Sequence, residues 1–231
     1  MHAGTITEET GAFREKMEEM LMDRTRTGTL AVLSLSLLAA CTSGPPPPAA
    51  TGLSHADRVQ QSRASKDETF RLSPDSPIPE AQRATFTGLR YFSIDPAFNV
   101  PASLAAERGA DPVIIELATS HDSVDRLARV GTLTFRLGGQ TYQLTAFSTA
   151  GDGLDKLFVP FGDLTNRHGT YGGGRYLNLT RTPTGLYDLD FNMAYNPYCV
   201  YDVTWTCPLP PAENRLPIAI PAGERMPDDH Q

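Results

Sequence analysis

The chain has 231 residues, with 27 acidic against 20 basic side chains and a formal net charge of −7. No basic tail or long basic run is present, which argues against nucleic acid as a partner. Its three cysteines, at positions 41, 199 and 207, join no His/Cys/Asp cluster with zinc-ligand spacing, so neither a metal nor another cofactor is expected.

Residues 1–21 are acidic and fit poorly ahead of the basic leader that follows, so they read as an upstream extension before a true start at Met22 or Met20. Segment 22–40 reads as a signal peptide. Arg24 and Arg26 precede an apolar run from Leu30 to Leu38 that is too short to span a bilayer. Leu38-Ala39-Ala40-Cys41 then resembles the bacterial lipobox, which implies cleavage before Cys41 and lipidation of its thiol. Acyl chains there would make the membrane a partner. Thr42 in place of an aspartate favours the outer membrane, with the domain in the periplasm. Residues 41–53 are a Pro-rich linker that spaces the domain from the lipid surface. Residues 1–40 carry six acids and four bases, so cleavage leaves 21 acids, 16 bases and a net charge of −5.

Residues 54–231 are long enough for one domain with a real core. Ser54 is placed to cap a polar helix that runs to about Phe70 and ends before Pro74 and Pro77. Strands follow. "TFTGLRYFSI" alternates around a glycine, "PVIIELA" is a short apolar run, and "TLTFRLGGQTYQLTAFS" is a hairpin turning at Gly138-Gly139. "KLFVPF", "RYLNLT" and "LYDLDF" add three more, and the Pro-rich segment after Cys207 reads as an extended strap. The expectation is a mainly β domain, an antiparallel barrel or sandwich with an N-terminal helix.

The densest candidate site is "GDLTNRHGTYGGGRYLNL". Gly172, Gly173 and Gly174 are followed by neither a Gly-Lys-Ser/Thr nor a helix, which excludes a phosphate loop and a dinucleotide fingerprint. Three glycines do let a backbone approach a ligand closely, and Arg175 offers a forked cation for a carboxylate or phosphate. The bland alternative is a sheet bend with Arg175 held by an internal acid. Strand phase puts Arg175 on the face of Leu177 and Leu179, the buried one, where an unpaired charge costs several kcal/mol. Asp190 at the end of the next strand is the favoured partner. Asp163, Thr165 and Tyr171 before the arginine, with Asn192, Tyr195 and Asn196 after it, would complete a polar, aromatic-lined pocket for a small anionic or polyhydroxylated ligand.

No Gly-x-Ser-x-Gly elbow occurs, which argues against a serine hydrolase of that type. His55 and His121 read as isolated and exposed. Cys199 and Cys207 stand eight positions apart, and a disulfide is the default in an oxidising periplasm, worth roughly 2.5 kcal/mol. Two buried thiols, or a reactive thiol at Cys199, are the alternatives.

"SRASKDETFRLSPDSPIP", "FTGLRYFSIDPAFNV", "LFVPFGDLTNRHGTYGGGRYL", "LDFNMAYNPYC" and "CPLPPAENRLPIAIPAGE" together resemble the domain-of-unknown-function family 1684, over roughly residues 58 to 225. That resemblance implies positions to suspect rather than a reaction. Two functions stay open: a lipid-tethered ligand-binding protein with its site around Arg175, and a non-catalytic envelope lipoprotein whose polar motif is an internal brace.

Overall fold

The computed structural model describes residues 52–108, 113–148 and 153–227. The segments read as an upstream extension and a signal peptide, together with Cys41 and most of the expected linker, lie outside the described residues. Helix α1 spans His55–Leu72, and Ser54 caps it by accepting the Asp57 N–H on its hydroxyl at 3.1 Å. Among the described residues no helix is long and apolar enough to cross a membrane.

Seven strands follow: β1 (Asn99–Ala106), β2 (Val113–Ala118), β3 (Val124–Leu137), β4 (Gln140–Ser148), β5 (Lys156–Phe161), β6 (Arg175–Thr180) and β7 (Tyr187–Asp190). Every ladder is antiparallel, in the order β6-β5-β4-β3-β1-β7, with β2 on the first half of β3. A bridge between Arg181 and Tyr187 brings the two ends together, so the sheet is a nearly closed barrel. The Gly138-Gly139 turn has positive φ at both residues, 57° and 82°, as a two-residue hairpin with right-handed twist requires.

Alternation fills the interior. Leu133, Phe135, Leu144, Leu157, Val159, Phe161, Leu177, Leu179 and Leu189 all point inward and are buried. The C-terminal segment is the strap expected from its prolines. Leu216, Ile220 and Ala222 join the same core. Asn214, fully buried, stitches the strap's start to the sheet, bonding both the N–H and the carbonyl of Thr145 and the carbonyl of Pro160.

One local expectation fails, and one strand was missed. "TFTGLRYFSI" is not a barrel strand. Asp67 of α1 accepts the Leu89 N–H at 2.9 Å beside Gly88, whose φ is 125°. The segment then runs along the strap, with Phe92 N–H donating to Gly223 and Arg225 N–H to Arg90. The strand that enters the barrel instead is β1, which the sequence hid behind Pro101.

Candidate functional site

Arg175 opens β6 opposite Phe161 and turns inward with Leu177 and Leu179. Its side chain is 0% exposed. Nη2 donates to Asp163 Oδ2 at 2.8 Å and to the Ile220 carbonyl at 2.9 Å. Nη1 donates to the carbonyls of Ala222 and Glu224. Burial weighs against the cationic form and lowers its pKa, while Asp163 acts in the opposite sense. The partner is therefore Asp163, not Asp190. The guanidinium reaches back across the β5–β6 turn.

The rest of the motif serves the same enclosure. Asp163 Oδ1 accepts the Thr165 N–H and hydroxyl and the Ile220 N–H. Thr165 also meets the Thr170 hydroxyl at 2.9 Å. Gly174, with φ 95°, lies under the strap, where a Cβ would meet Pro210 at 2.5 Å and the Phe161 carbonyl at 2.6 Å. The glycine run is thus a tight turn pressed against protein, and no ligand can reach Arg175 through it. Tyr171 and the half-buried Gly172 and Gly173 sit at its margin.

The other four candidates lie elsewhere. Asp190 pairs with His55 at 2.7 Å and accepts the Asn192 N–H, so His55 is a half-buried partner rather than an isolated exposed ring. Asn192 is consumed by Asp190 and by the backbone of Asp95. Asn196 donates its N–H to Glu224 and its amide to the Arg225 carbonyl. Tyr195 bridges Tyr176 of β6.

Tyr195 and Asn192 do line a cavity of about 530 Å³, but it lies on the outer side of the barrel. Tyr176 and Asn178 project into it because they occupy the opposite phase of β6 from Arg175. Phe158, Tyr198 and Trp205 add aromatic wall, and α1 contributes Arg63 and Lys66. Lys66 ion-pairs with Glu224 and lies over the Tyr195 ring at 4.7 Å. Glu224, 1% exposed, also accepts from Tyr201 and the Asn196 N–H. Arg63 stacks on Tyr91 at 4.3 Å and donates to the carbonyls of Phe92 and Asn192.

Two buried donors on this wall, Arg63 Nε and the Tyr91 hydroxyl, have no protein partner. Burial first, then the Glu224 carboxylate, raises the Tyr91 phenol far above its ordinary value. Tyr195 is pushed up to about 12, chiefly by burial. Sequence reasoning missed Arg63, Lys66, Tyr91 and Glu224. The helix offered no apolar stripe to signal which face docks, and an acid near the C-terminus carries no local pattern.

Cys199 and Cys207 are not the disulfide expected but two free thiols, and the Cys199 N–H donates to Cys207 Sγ at 3.2 Å. Among the described residues no group of His, Cys, Asp or Glu is arranged to hold a metal ion.

Residues 84–225 match the family model described as "Protein of unknown function (DUF1684)". The chain is also similar to an uncharacterized protein of Haloarcula marismortui whose structure was solved by NMR in solution. Identity is 41%, the match covers 75% of this chain and 95% of that one, and the TM-score is 0.60. No curated protein matches.

Proposed function

The chain belongs to the family described as "Protein of unknown function (DUF1684)", and from that premise we propose that it is a lipid-anchored envelope protein binding a small anionic or polar ligand. The binding site is the cleft between α1 and the outer face of β5 and β6, not the surroundings of Arg175. One observation carries this reading: Arg63 Nε and the Tyr91 hydroxyl are buried, partnerless donors on the wall of an aromatic cavity. A buried donor without an acceptor costs about 1–3 kcal/mol, which a carboxylate, phosphate or hydroxyl oxygen would recover. Two cations face one acid there, and that acid is already engaged by Lys66, Tyr201 and Asn196. The aromatic rings offer stacking surface for the body of such a ligand.

Lipid on Cys41 would hold the domain at the outer membrane on the periplasmic side, with the Pro-rich linker as spacer. That compartment would be an oxidising one for Cys199 and Cys207. A second reading is favoured by the Arg175 network: the family's polar motif is an internal brace in a structural lipoprotein.

A thermal-shift screen of the purified chain against phosphates, carboxylates and sugars separates the two. A ligand at a hundred times its Kd adds about 2.7 kcal/mol, enough for a rise of several degrees. Tyr91→Phe is expected to raise the ligand-free midpoint, since it removes a buried donor that has no acceptor, and to weaken the response to the hit. Silence across all three ligand sets leaves the brace alone.

A further inference from the structure

The two thiols are held in unequal settings. Cys199 lies in the short turn Tyr198–Val200 and is half-exposed, whereas Cys207 is buried at 5% exposure on the cavity wall. They touch through the Cys199 N–H bond to Cys207 Sγ. Ser120, two residues past β2, fixes Cys207 from both sides: the Cys207 N–H donates to the Ser120 hydroxyl at 3.1 Å, and the Cys207 carbonyl accepts the Ser120 N–H at 2.9 Å. Between the two cysteines runs the exposed stretch 203–206. A less buried cysteine hydrogen-bonded to the sulfur of a buried one is the arrangement that attack followed by resolution requires.

We infer that Cys199 and Cys207 form a redox-active dithiol whose substrate is a small aliphatic disulfide, with Cys199 attacking and Cys207 resolving. The Cys199 thiolate attacks one sulfur of R–S–S–R, forming Cys199–S–S–R and releasing the first R–S⁻. Cys207, giving up its proton, then attacks Cys199 Sγ and releases the second R–S⁻. The protein pair loses two electrons and two protons, and the external disulfide becomes two thiols. The surroundings suit this order. Hydrogen bonds from Cys207, Ser120 and Tyr171 lower the Cys199 thiol to about 6, whereas its contact with Cys199 and burial raise Cys207. The other titratable side chains beside the pair are Tyr171, pushed up to about 12, Tyr176, raised further by burial, and His121, whose ring meets the Thr206 hydroxyl at 3.2 Å next to Cys207. Neither tyrosine changes charge near neutrality. This reading needs the envelope assignment only for a natural supply of disulfide, and the ligand cleft not at all.

The test uses the purified, reduced chain with oxidised and reduced glutathione as probe. Alkylation at pH 7 is expected at Cys199 at least tenfold faster than at Cys207, with its pH midpoint near 6. Cys207→Ser should accumulate a glutathione adduct at Cys199, and Cys199→Ser should accumulate none on the buried Cys207. Wild type should lose two hydrogens by intact mass, reversibly across the glutathione series. Equal alkylation rates, a Cys199 midpoint in the ordinary thiol range of about 8–9, or a pair that no glutathione ratio can reduce would each overturn the proposal. Circular dichroism on both variants establishes that they are folded. If the cysteine-to-serine chains do not fold, the wild-type alkylation profile decides the matter. None of these outcomes bears on ligand binding at Arg63.

Discussion

Arg175 and Arg63 are two arginines beside aromatic rings in one small domain, and they are used differently. Arg175 faces the barrel interior, and its two terminal nitrogens make four hydrogen bonds, one of them to a carboxylate that is itself fully enclosed. Arg63 comes from a helix laid on the outside, binds two carbonyls and leaves Nε unmatched at a cavity. Arg175 Nε lacks a partner as well, but at 0% exposure nothing can be added to it. The lesson is that a charged residue in a Gly-rich motif is no better a pointer to a binding site than one on a bland helix. What distinguishes them is that Arg63 lines a cavity and Arg175 does not.

The widest separation between the two regions should come from Asp163→Ala. Removing the acid strands the guanidinium in an apolar core, which typically costs about 3–5 kcal/mol, and it also frees the N–H groups of Thr165 and Ile220. Urea unfolding should register that loss, and any ligand response in the cleft should survive in the fraction still folded. A midpoint within about 1 kcal/mol of wild type would mean the inner network is not a brace.

Gly174→Ala is the next largest. An L side chain is disfavoured at φ 95°, and its Cβ would collide with Pro210 and the Phe161 carbonyl. A loss on the order of 2 kcal/mol is expected. If the glycine run were a ligand cradle, the same change would cut affinity with little effect on the melting midpoint.

Much of this arrangement could be read from the chain. Strand phase put Arg175 inside with Leu177 and Leu179, the Gly138-Gly139 turn was unmistakable, and Ser54 announced the helix. The partner of Arg175 was not legible, because Asp163 precedes it by a turn whose closure depends on Thr165, Thr170 and the distant strap. β1 was hidden because Pro101 lacks a ladder donor and breaks the usual strand pattern. The cleft was least legible of all. Its parts come from α1, from the outward phase of β6 and from Glu224, and only tertiary packing brings them together. Tyr195 and Asn192 were picked out for their neighbourhood in the chain, and they line a different cavity from the one they were assigned to.

The smallest effect concerns pH and reports mainly on the cleft side, with Tyr187 of the barrel interior, also raised by burial, adding to it. Tyr195 is held to about 12 against an ordinary 10, chiefly by burial, and Tyr91 and Tyr201 are raised as well by burial and then by Glu224. A phenol whose folded pKa exceeds its unfolded one binds more protons in the native state between those values. Its contribution is therefore complete below pH 10 and is lost as pH rises towards the folded value. Stability should be level through neutrality and decline from about pH 10, with the tyrosinate absorbance of these rings appearing only as the chain unfolds. An oxygen-bearing ligand over Tyr91 would bind the native state alone and push that decline to higher pH. Free titration of all eight tyrosines near pH 10 with the fold intact would mean the cleft is open to water, and its unmatched donors would then be solvated rather than waiting for an acceptor.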